Sequence, residues 1–161
     1  LVKRNELVID MFAGIGYFTI PIAVHAKPER IFAVEKNPVA FNYLIENIKL
    51  NKAEDLVIPV LADSKHFVPK LGRIADRVIM GLLPSPKKFL PQAFSVIKNN
   101  GIIHYEGLAK EGKASLLFSH VARVAKQVGA EVELLKVNKV KSYAPRIYHY
   151  VLDVRVKIMH S

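Results

Sequence analysis

Short apolar runs alternate along this chain with segments of helical periodicity, and this alternation constrains the fold more than any other feature. Runs that end near residues 12, 35, 61, 80 and 105 have the composition of β-strands, and helix-like segments lie between most of them. Strand–helix–strand units pair their strands in parallel and place helices on both faces of the sheet. The 161 residues are the size of one domain. The pattern therefore predicts a single open α/β sheet.

The periodicities predict seven strands and about five helices. The predicted strands cover residues 7–12, 31–35, 56–61, 75–80, 102–105, 132–140 and 147–156. Predicted helices include residues 16–26, 37–50, 87–98 and the stripe from Leu117 to Val128, with Asn99-Asn100-Gly101 as a helix end and turn. Pro59 favours an edge position for the third strand. The last two strands are expected to form a hairpin antiparallel to the rest.

Charge and cysteine content narrow the functional classes. The net charge is +10, with 24 Lys plus Arg against 14 Asp plus Glu, which favours a phosphate-rich partner or an anionic membrane. The absence of cysteine excludes disulfides, thiolate metal sites and cysteine nucleophiles, and it fits a cytoplasmic protein. No run approaches eighteen apolar residues. Because the sequence starts without Met just before a strand, we expect residues 1–161 to be the C-terminal part of a longer protein.

The first predicted strand leads into a glycine loop, DMFAGIGYF at residues 10–18. Glycine lets the backbone approach a ligand closely, and the helix that follows presents N–H groups to it. Any strand-to-helix turn also uses glycine, so the loop alone leaves both interpretations open. Glu35 ends the second strand nineteen residues after Gly16, where open sheets of this kind place a carboxylate that accepts hydrogen bonds from a ribose.

The spacing of acids and glycines favours S-adenosylmethionine over a dinucleotide. A dinucleotide site has a third glycine three residues after Gly16, where this chain has Thr19. Here Asp10 precedes the first glycine, as is typical of S-adenosylmethionine sites. Asp63 is a candidate acceptor for the adenine amino group, although a turn-initiating Asp has the same position. The predicted cofactor-binding residues are Asp10, Phe12, Ala13, Gly14, Gly16, Phe18, Glu35, Lys36, Asn37 and Asp63.

Six segments together resemble one known family. They are DMFAGIGYF (10–18), EKNP (35–38), ENIKLN (46–51), DRVIM (76–80), IHY (103–105) and KSYAP (141–145). In this order they are similar to the tRNA guanine-37 methyltransferases and the aminocarboxypropyltransferases of wybutosine synthesis. The resemblance implies a Rossmann-like class I S-adenosylmethionine-dependent methyltransferase fold that acts on the purine 3′ of the anticodon of tRNA. It does not imply a metal or a membrane.

The resemblance leaves the transferred group open between two products. Methyltransferases of this family generally have Asn-Leu-Pro after the fourth strand, with Asn beside the target base, whereas this chain has Gly81-Leu82-Leu83-Pro84-Ser85. That run is closer to the aminocarboxypropyl branch, which is our expectation. The turn at residues 141–146 is closer to the methyltransferases. A third interpretation is an RNA-binding module without catalysis.

The loop after the fourth strand and the end of the fifth strand provide candidate catalytic residues, and the basic surplus provides candidate RNA-binding residues. The predicted catalytic residues are Gly81, Leu82, Pro84 and His104. A histidine on a strand is more often structural than catalytic. The resemblance implies further catalytic residues before the first strand, so we expect residues 1–161 alone to react poorly. The predicted RNA-binding residues are Lys87, Lys88, Lys141, Tyr143 and Arg146.

Overall fold

Residues 2–159 are described by a computed structural model, which contains one seven-stranded sheet. The strands are β1 (Leu7–Asp10), β2 (Arg30–Glu35), β3 (Val57–Leu61), β4 (Ala75–Met80), β5 (Ile97–Lys110), β6 (Ala130–Ala144) and β7 (Ile147–Ile158). Their order across the sheet is β3-β2-β1-β4-β5-β7-β6. β1 to β5 pair in parallel, and β7 pairs antiparallel with both β5 and β6. The predicted doubly wound fold, with its antiparallel C-terminal hairpin, is confirmed.

Helices cover both faces of the sheet, as its two apolar surfaces require. They are α1 (Thr19–Pro21), which continues as a π-helical turn (Ile22–Ala26), α2 (Pro38–Leu50), α3 (Ser64–Phe67), α4 (Leu90–Val96) and α5 (Ser115–Gln127). On one face α2 buries Leu44 and Ile48 against β1 and β2. On the other face α4 and α5 pack Phe94 and Val121 over β4, β5 and β7. The described residues contain no helix long and apolar enough to cross a membrane.

The edge strand and the second helix agree with the sequence predictions. β3 lies at the edge of the sheet, where the missing N–H of Pro59 is tolerated. Asn37 caps α2, because its side-chain oxygen accepts hydrogen bonds from the N–H groups of Val39 and Ala40 at 2.9 and 3.3 Å. Pro38 occupies the first helical position, where its fixed φ suits the helix.

The final hairpin differs from the prediction in the direction of one strand. Only β7 runs against β1–β5. β6 is antiparallel to β7 and therefore runs in the same direction as β1–β5, so the prediction is correct for β7 and wrong for β6. The turn is also shorter than expected, since β6 continues to Ala144 and β7 begins at Ile147. Because β6 runs in the direction of β1–β5, the tip of the hairpin lies at the same edge of the sheet as the carboxyl ends of those strands.

Two helices are shorter than predicted. Residues 16–18 are not helical, because Gly16 adopts φ +108°, and α1 begins only at Thr19. α4 ends at Val96, since Ile97 is extended and pairs with Ala75 of β4. The predicted turn at residues 99–101 is an irregularity inside β5, which shifts its register with β4, and Asn100 there has φ +65°.

Candidate active site

The loop after β1 lies where the strand order reverses, between β2 and β4. Such reversal points are the ligand-binding crevices of open parallel sheets. The N–H of Ala13 donates to the carbonyl of Val34 at 2.9 Å, which fixes the loop against β2. Gly14 has φ +57°, and a Cβ atom built there would meet nothing within 4 Å. The space in front of Gly14 is therefore open to a ligand.

Glu35 closes the loop from the end of β2. One carboxylate oxygen accepts a hydrogen bond from the N–H of Gly14 at 3.0 Å, and the other accepts from the N–H of Asn37 at 2.6 Å. Carboxylate oxygens have further lone pairs for ligand hydroxyl groups. The structure thus brings the predicted ribose acceptor and the glycine loop together. It also gives Glu35 a role in loop geometry that the spacing alone did not indicate.

Asp10 has a different environment from the one expected of a residue that contacts a ligand. It is fully buried, and its oxygens accept hydrogen bonds from the hydroxyl of Thr19 at 2.7 Å and from the N–H of Phe12 at 3.4 Å. Burial raises the pKa of its carboxyl to about 6, although both hydrogen bonds act in the opposite direction. These contacts indicate that Asp10 stabilises the glycine loop through hydrogen bonds within the protein.

The raised pKa of Asp10 predicts how stability depends on pH. Between pH 4 and 7 the unfolded state releases this proton before the folded state does, so the contribution of Asp10 to the free energy of unfolding falls as pH rises. As the pH rises from 4 to 7, the free energy of unfolding of an Asp10→Asn variant should increase by about 3 kcal/mol relative to that of the parent. Urea titrations of both proteins at pH 4 and 7 measure this difference. If the two proteins differed in stability by the same amount at pH 4 and pH 7, the raised pKa of Asp10 would be contradicted.

The neighbouring predicted cofactor residues surround the same crevice. Asp63 caps α3, because its Oδ1 accepts a hydrogen bond from the N–H of Lys65 at 2.9 Å, so the turn interpretation holds alongside any ligand contact. Lys36 is exposed at the end of β2. Phe12 stacks edge-on against Phe89 with ring centroids 4.8 Å apart. Its ring therefore packs against the segment before α4.

The loop after β4 is held by three contacts. The N–H of Leu108 donates to the carbonyl of Pro84 at 3.0 Å, the hydroxyl groups of Ser85 and Tyr105 lie 3.2 Å apart, and the N–H of Phe89 donates to the carbonyl of Pro86 at 2.8 Å. Gly81 is crowded, because a Cβ atom there would lie 2.9 Å from Cε2 of Phe18 and 3.2 Å from Oε2 of Glu106. The ring of Phe18 thus joins the glycine loop to the Gly81 loop.

Comparison with known proteins matches this sheet and its loops to one domain family. The TRM5/TYW2 methyltransferase domain matches residues 1–135. The chain belongs to the TRM5/TYW2 family. It is 45% identical to the tRNA(Phe) (4-demethylwyosine(37)-C(7)) aminocarboxypropyltransferase of Methanocaldococcus jannaschii, covering 95% of this chain and 61% of that relative's length. It is 41% identical to the tRNA (guanine(37)-N(1))-methyltransferase Trm5b of Pyrococcus abyssi, over 97% of this chain and 46% of the relative.

A solved structure agrees with the TRM5/TYW2 assignment. The crystal structure of M. jannaschii TYW2 in complex with AdoMet superposes with a TM-score of 0.93 at 42% identity, covering 99% of this chain and 72% of that chain. The family predicted from the six sequence segments is therefore confirmed, together with its fold. The chain spans about three fifths of the length of the first relative named above.

His104, a predicted catalytic residue, lies away from the Gly81 loop in this TRM5/TYW2 domain. It pairs with Ile79 across β4 and β5. Its Nδ1 is 2.7 Å from Oδ1 of Asp153, and its Nε2 is 3.2 Å from Arg77, which also binds Glu6 at 2.6 Å. The hydrogen bond from His104 holds the pKa of the Asp153 carboxyl below its usual range. Both ring nitrogens are engaged, which favours a structural role.

Glu106 and His149 are site residues that the sequence predictions omit. Glu106 lies on β5 next to Gly81, and Nε2 of His149 on β7 lies 3.3 Å from its Oε2. Both residues are buried. The carboxyl-end position of Glu106, two residues after His104, was the available signal. The contact with His149 depends on the pairing of β5 with β7, which the sequence does not specify.

The predicted RNA-binding residues share the edge of the sheet that carries the glycine loop. Lys87 and Lys88 follow the Gly81 loop, whereas Lys141, Tyr143 and Arg146 lie at the tip of the β6–β7 hairpin. All five are exposed. Because β6 runs in the direction of β1–β5, the hairpin tip and the crevice lie at the same edge of the sheet. The structure therefore brings these four cations and Tyr143 to the cofactor side of the TRM5/TYW2 domain.

One open depression lies on the helix side of the glycine loop. It is lined by Ile15, Gly16, Tyr17, Ile20, Pro21, Asn47 and Asn51. It does not include Glu35, Asp63 or Gly81, so it is not the crevice at the strand ends. Within residues 2–159 no group of three or more His, Asp or Glu is arranged to hold a metal ion.

Proposed function

We propose that this domain transfers the 3-amino-3-carboxypropyl group of S-adenosylmethionine to the guanosine-derived base at position 37 of tRNA. The observation that carries the proposal is the presence of glycine at position 81, directly after β4. Methyltransferases that the sequence resembles generally have Asn at this position, and here a side chain would have to displace Phe18 or Glu106. The greater similarity to the M. jannaschii aminocarboxypropyltransferase than to the P. abyssi methyltransferase supports the same product.

The residues present fit S-adenosylmethionine. Glu35 would bind the ribose, Gly14 would let the backbone lie against the ligand, and Asp63 would accept from the adenine amino group. When bound, the cofactor supplies carbons made electrophilic by a sulfonium. The Gly81 loop, which Tyr105 contacts at Ser85 and Leu108 contacts at Pro84, would determine which of those carbons faces the base. A cytoplasmic location, expected from the absence of cysteine, remains part of the proposal.

Mass spectrometry of the modified nucleoside tests this function. The intact protein, S-adenosylmethionine and a tRNA that carries the tricyclic guanine derivative should yield an aminocarboxypropylated nucleoside and release methylthioadenosine. Methylated guanosine at position 37 with release of S-adenosylhomocysteine would establish the methyltransferase alternative instead. Tight cofactor binding without any change in nucleoside mass would support the RNA-binding module. The same assay on residues 1–161 alone tests our expectation that this part reacts poorly.

The methyltransferase is the second candidate, and two observations favour it. The sequence at the hairpin tip, residues 141–146, is closer to the methyltransferases, and the P. abyssi relative aligns over 97% of this chain. The hairpin tip lies at the edge of the sheet where tRNA would bind. It therefore bears on how the anticodon loop is held, whereas Gly81 bears on the group that is transferred. This difference is why we favour aminocarboxypropyl transfer.

Binding of tRNA should depend on salt and on the hairpin cations. Each lysine that neutralises a phosphate contributes about one unit to the slope of log affinity against log salt concentration. Lys141→Ala should weaken tRNA binding and reduce that slope by about one. Lys157→Ala is the matched control, since Lys157 is exposed at the opposite edge of the sheet. Filter binding at several salt concentrations measures both. Equal effects of the two variants would contradict the proposed surface.

A further inference from the structure

Glu106 is a buried carboxylate that faces the loop expected to carry the chemistry. β5 pairs with β4 so that Tyr105 lies opposite Met80, which puts Glu106 beside Gly81. Its Oε2 is 3.2 Å from the position of a Cβ atom on Gly81. Only 5% of Glu106 is exposed. The carboxylate therefore lies where the glycine loop and the Gly81 loop meet, close to the ring of Phe18.

No cationic side chain neutralises Glu106 among residues 2–159. Its ion-pair contact is Nε2 of His149 at 3.3 Å, and His149 is only 8% exposed. Burial raises the pKa of Glu106 to about 7. Burial, and next the charge of Lys141 on β6, lower the pKa of His149. Asp10, on β1, is a second buried carboxylate close enough for its pKa to be raised by the charge of Glu106.

The imidazole of His149 adds a second, independent indication of a ligand. Neither ring nitrogen has a hydrogen-bonding partner within the described part of the chain. Buried polar groups are nearly always hydrogen-bonded, and unpaired ones are costly. In the tautomer that leaves Nε2 unprotonated, the imidazole and the carboxylate oxygen 3.3 Å away form a pair of acceptors. A ligand with several N–H donors and a positive charge would satisfy both.

We infer that Glu106 and His149 together bind the α-ammonium group of the methionine tail of S-adenosylmethionine. This inference rests on the proposed function and names the residue that fixes the transferred group. An ammonium donates hydrogen bonds to both acceptors, whereas a sulfonium has no hydrogen to donate. Holding the tail beside Gly81 would restrict which carbon on sulfur can face the base. Glu106 is thus a specificity residue for aminocarboxypropyl transfer.

The pairing couples cofactor binding to release of a proton. At pH 6.5 the Glu106–His149 pair holds a proton, and the free α-amino group of the cofactor is already charged, since α-amino groups titrate near pH 8. An ammonium that binds the carboxylate displaces that proton to the buffer. Affinity for S-adenosylmethionine should therefore increase between pH 6 and 7.5.

Calorimetry with three ligands tests the inference on the intact protein. Methylthioadenosine lacks the tail, whereas S-adenosylhomocysteine keeps the tail and lacks the sulfonium charge. Glu106→Gln should weaken binding of S-adenosylmethionine and S-adenosylhomocysteine about 10- to 100-fold and leave methylthioadenosine within about twofold. Glu133→Gln is the control, because Glu133 is an exposed carboxylate on β6. Titrations in two buffers of different ionisation enthalpy should show proton release by the parent at pH 6.5 and none by Glu106→Gln.

The other outcomes separate failure of this inference from failure of the proposed function. Unchanged affinity of Glu106→Gln for S-adenosylmethionine would refute it, as would an equal loss for methylthioadenosine, which would indicate damage to the fold. Absence of proton release by the parent protein would refute it without any variant. If the parent binds S-adenosylmethionine but modifies no tRNA, the proposed function fails while the tail contact stands. If the parent does not bind S-adenosylmethionine, both fail.

Discussion

Replacing Glu35 by alanine is expected to weaken binding of S-adenosylmethionine by about 1.5–3 kcal/mol, or roughly 10- to 150-fold. Two effects combine in this variant. The ribose would lose its charged acceptor, and the N–H groups of Gly14 and Asn37 would lose the oxygens that hold them at 3.0 and 2.6 Å. The affinity is measured by calorimetry, and Glu35→Gln separates the two effects because an amide keeps one acceptor oxygen.

The control for this prediction is a carboxylate far from the crevice. Glu54 is exposed before the amino end of β3, so Glu54→Ala removes the same charge from the opposite edge of the sheet. It should leave the affinity within about twofold. Unchanged binding by Glu35→Ala would remove the central support for the crevice as a nucleoside site. Equal losses in both variants would mean that net charge, and not a specific contact, determines affinity.

Local chemistry explains why much of the fold could be predicted from sequence. Asn37-Pro38 carries its own cap and first turn, and β3 reveals its edge position through Pro59, so neither depends on distant residues. The alternation of strands and helices likewise predicts a parallel sheet. These predictions are correct because short-range signals and tertiary structure agree.

The wrong predictions concern features that distant contacts decide. Asn99-Asn100-Gly101 has the composition of a helix end, but pairing of Ile97 with Ala75 draws this segment into β5, where it forms an irregularity. The direction of β6 depends on its position beyond β7 in the sheet. Such pairings are set by the whole sheet and leave little trace in local sequence.

Burial determines which of the predicted site residues can contact a ligand. Asp10 and Glu35 both fit an acidic motif by spacing, yet only Glu35 lies at the open crevice, because Asp10 is enclosed under Thr19. The position of His104 at the end of the fifth strand predicts a catalytic role, but its Nδ1 contacts Asp153 on β7. Glu106 gains its environment from His149. Sequence spacing identifies the edge of the sheet, whereas the partners of each side chain require the structure.

Gly81→Asn should lower the rate of aminocarboxypropyl transfer at least about 100-fold without producing methyl transfer. The backbone φ at Gly81 is not in the left-handed region, so the obstacle is steric and comes from Phe18 at 2.9 Å and Glu106 at 3.2 Å. An added side chain must displace the ring or the carboxylate, and overpacking of this kind typically costs about 1–3 kcal/mol of stability. Initial rates and nucleoside masses measure the outcome.

A second substitution tests whether Gly81→Asn acts through the clash with Phe18 or whether the reaction requires glycine at position 81 for another reason. Phe18→Leu shortens the side chain that crowds residue 81, so Gly81→Asn with Phe18→Leu should be less impaired than the two single effects combined. Contacting residues typically couple by about 0.5–3 kcal/mol in such a cycle. Simple additivity would show that Phe18 does not limit this position. Methylated product from the double variant would show that room at residue 81 is enough to change the transferred group, because the Asn side chain could then enter the position it has in the methyltransferases.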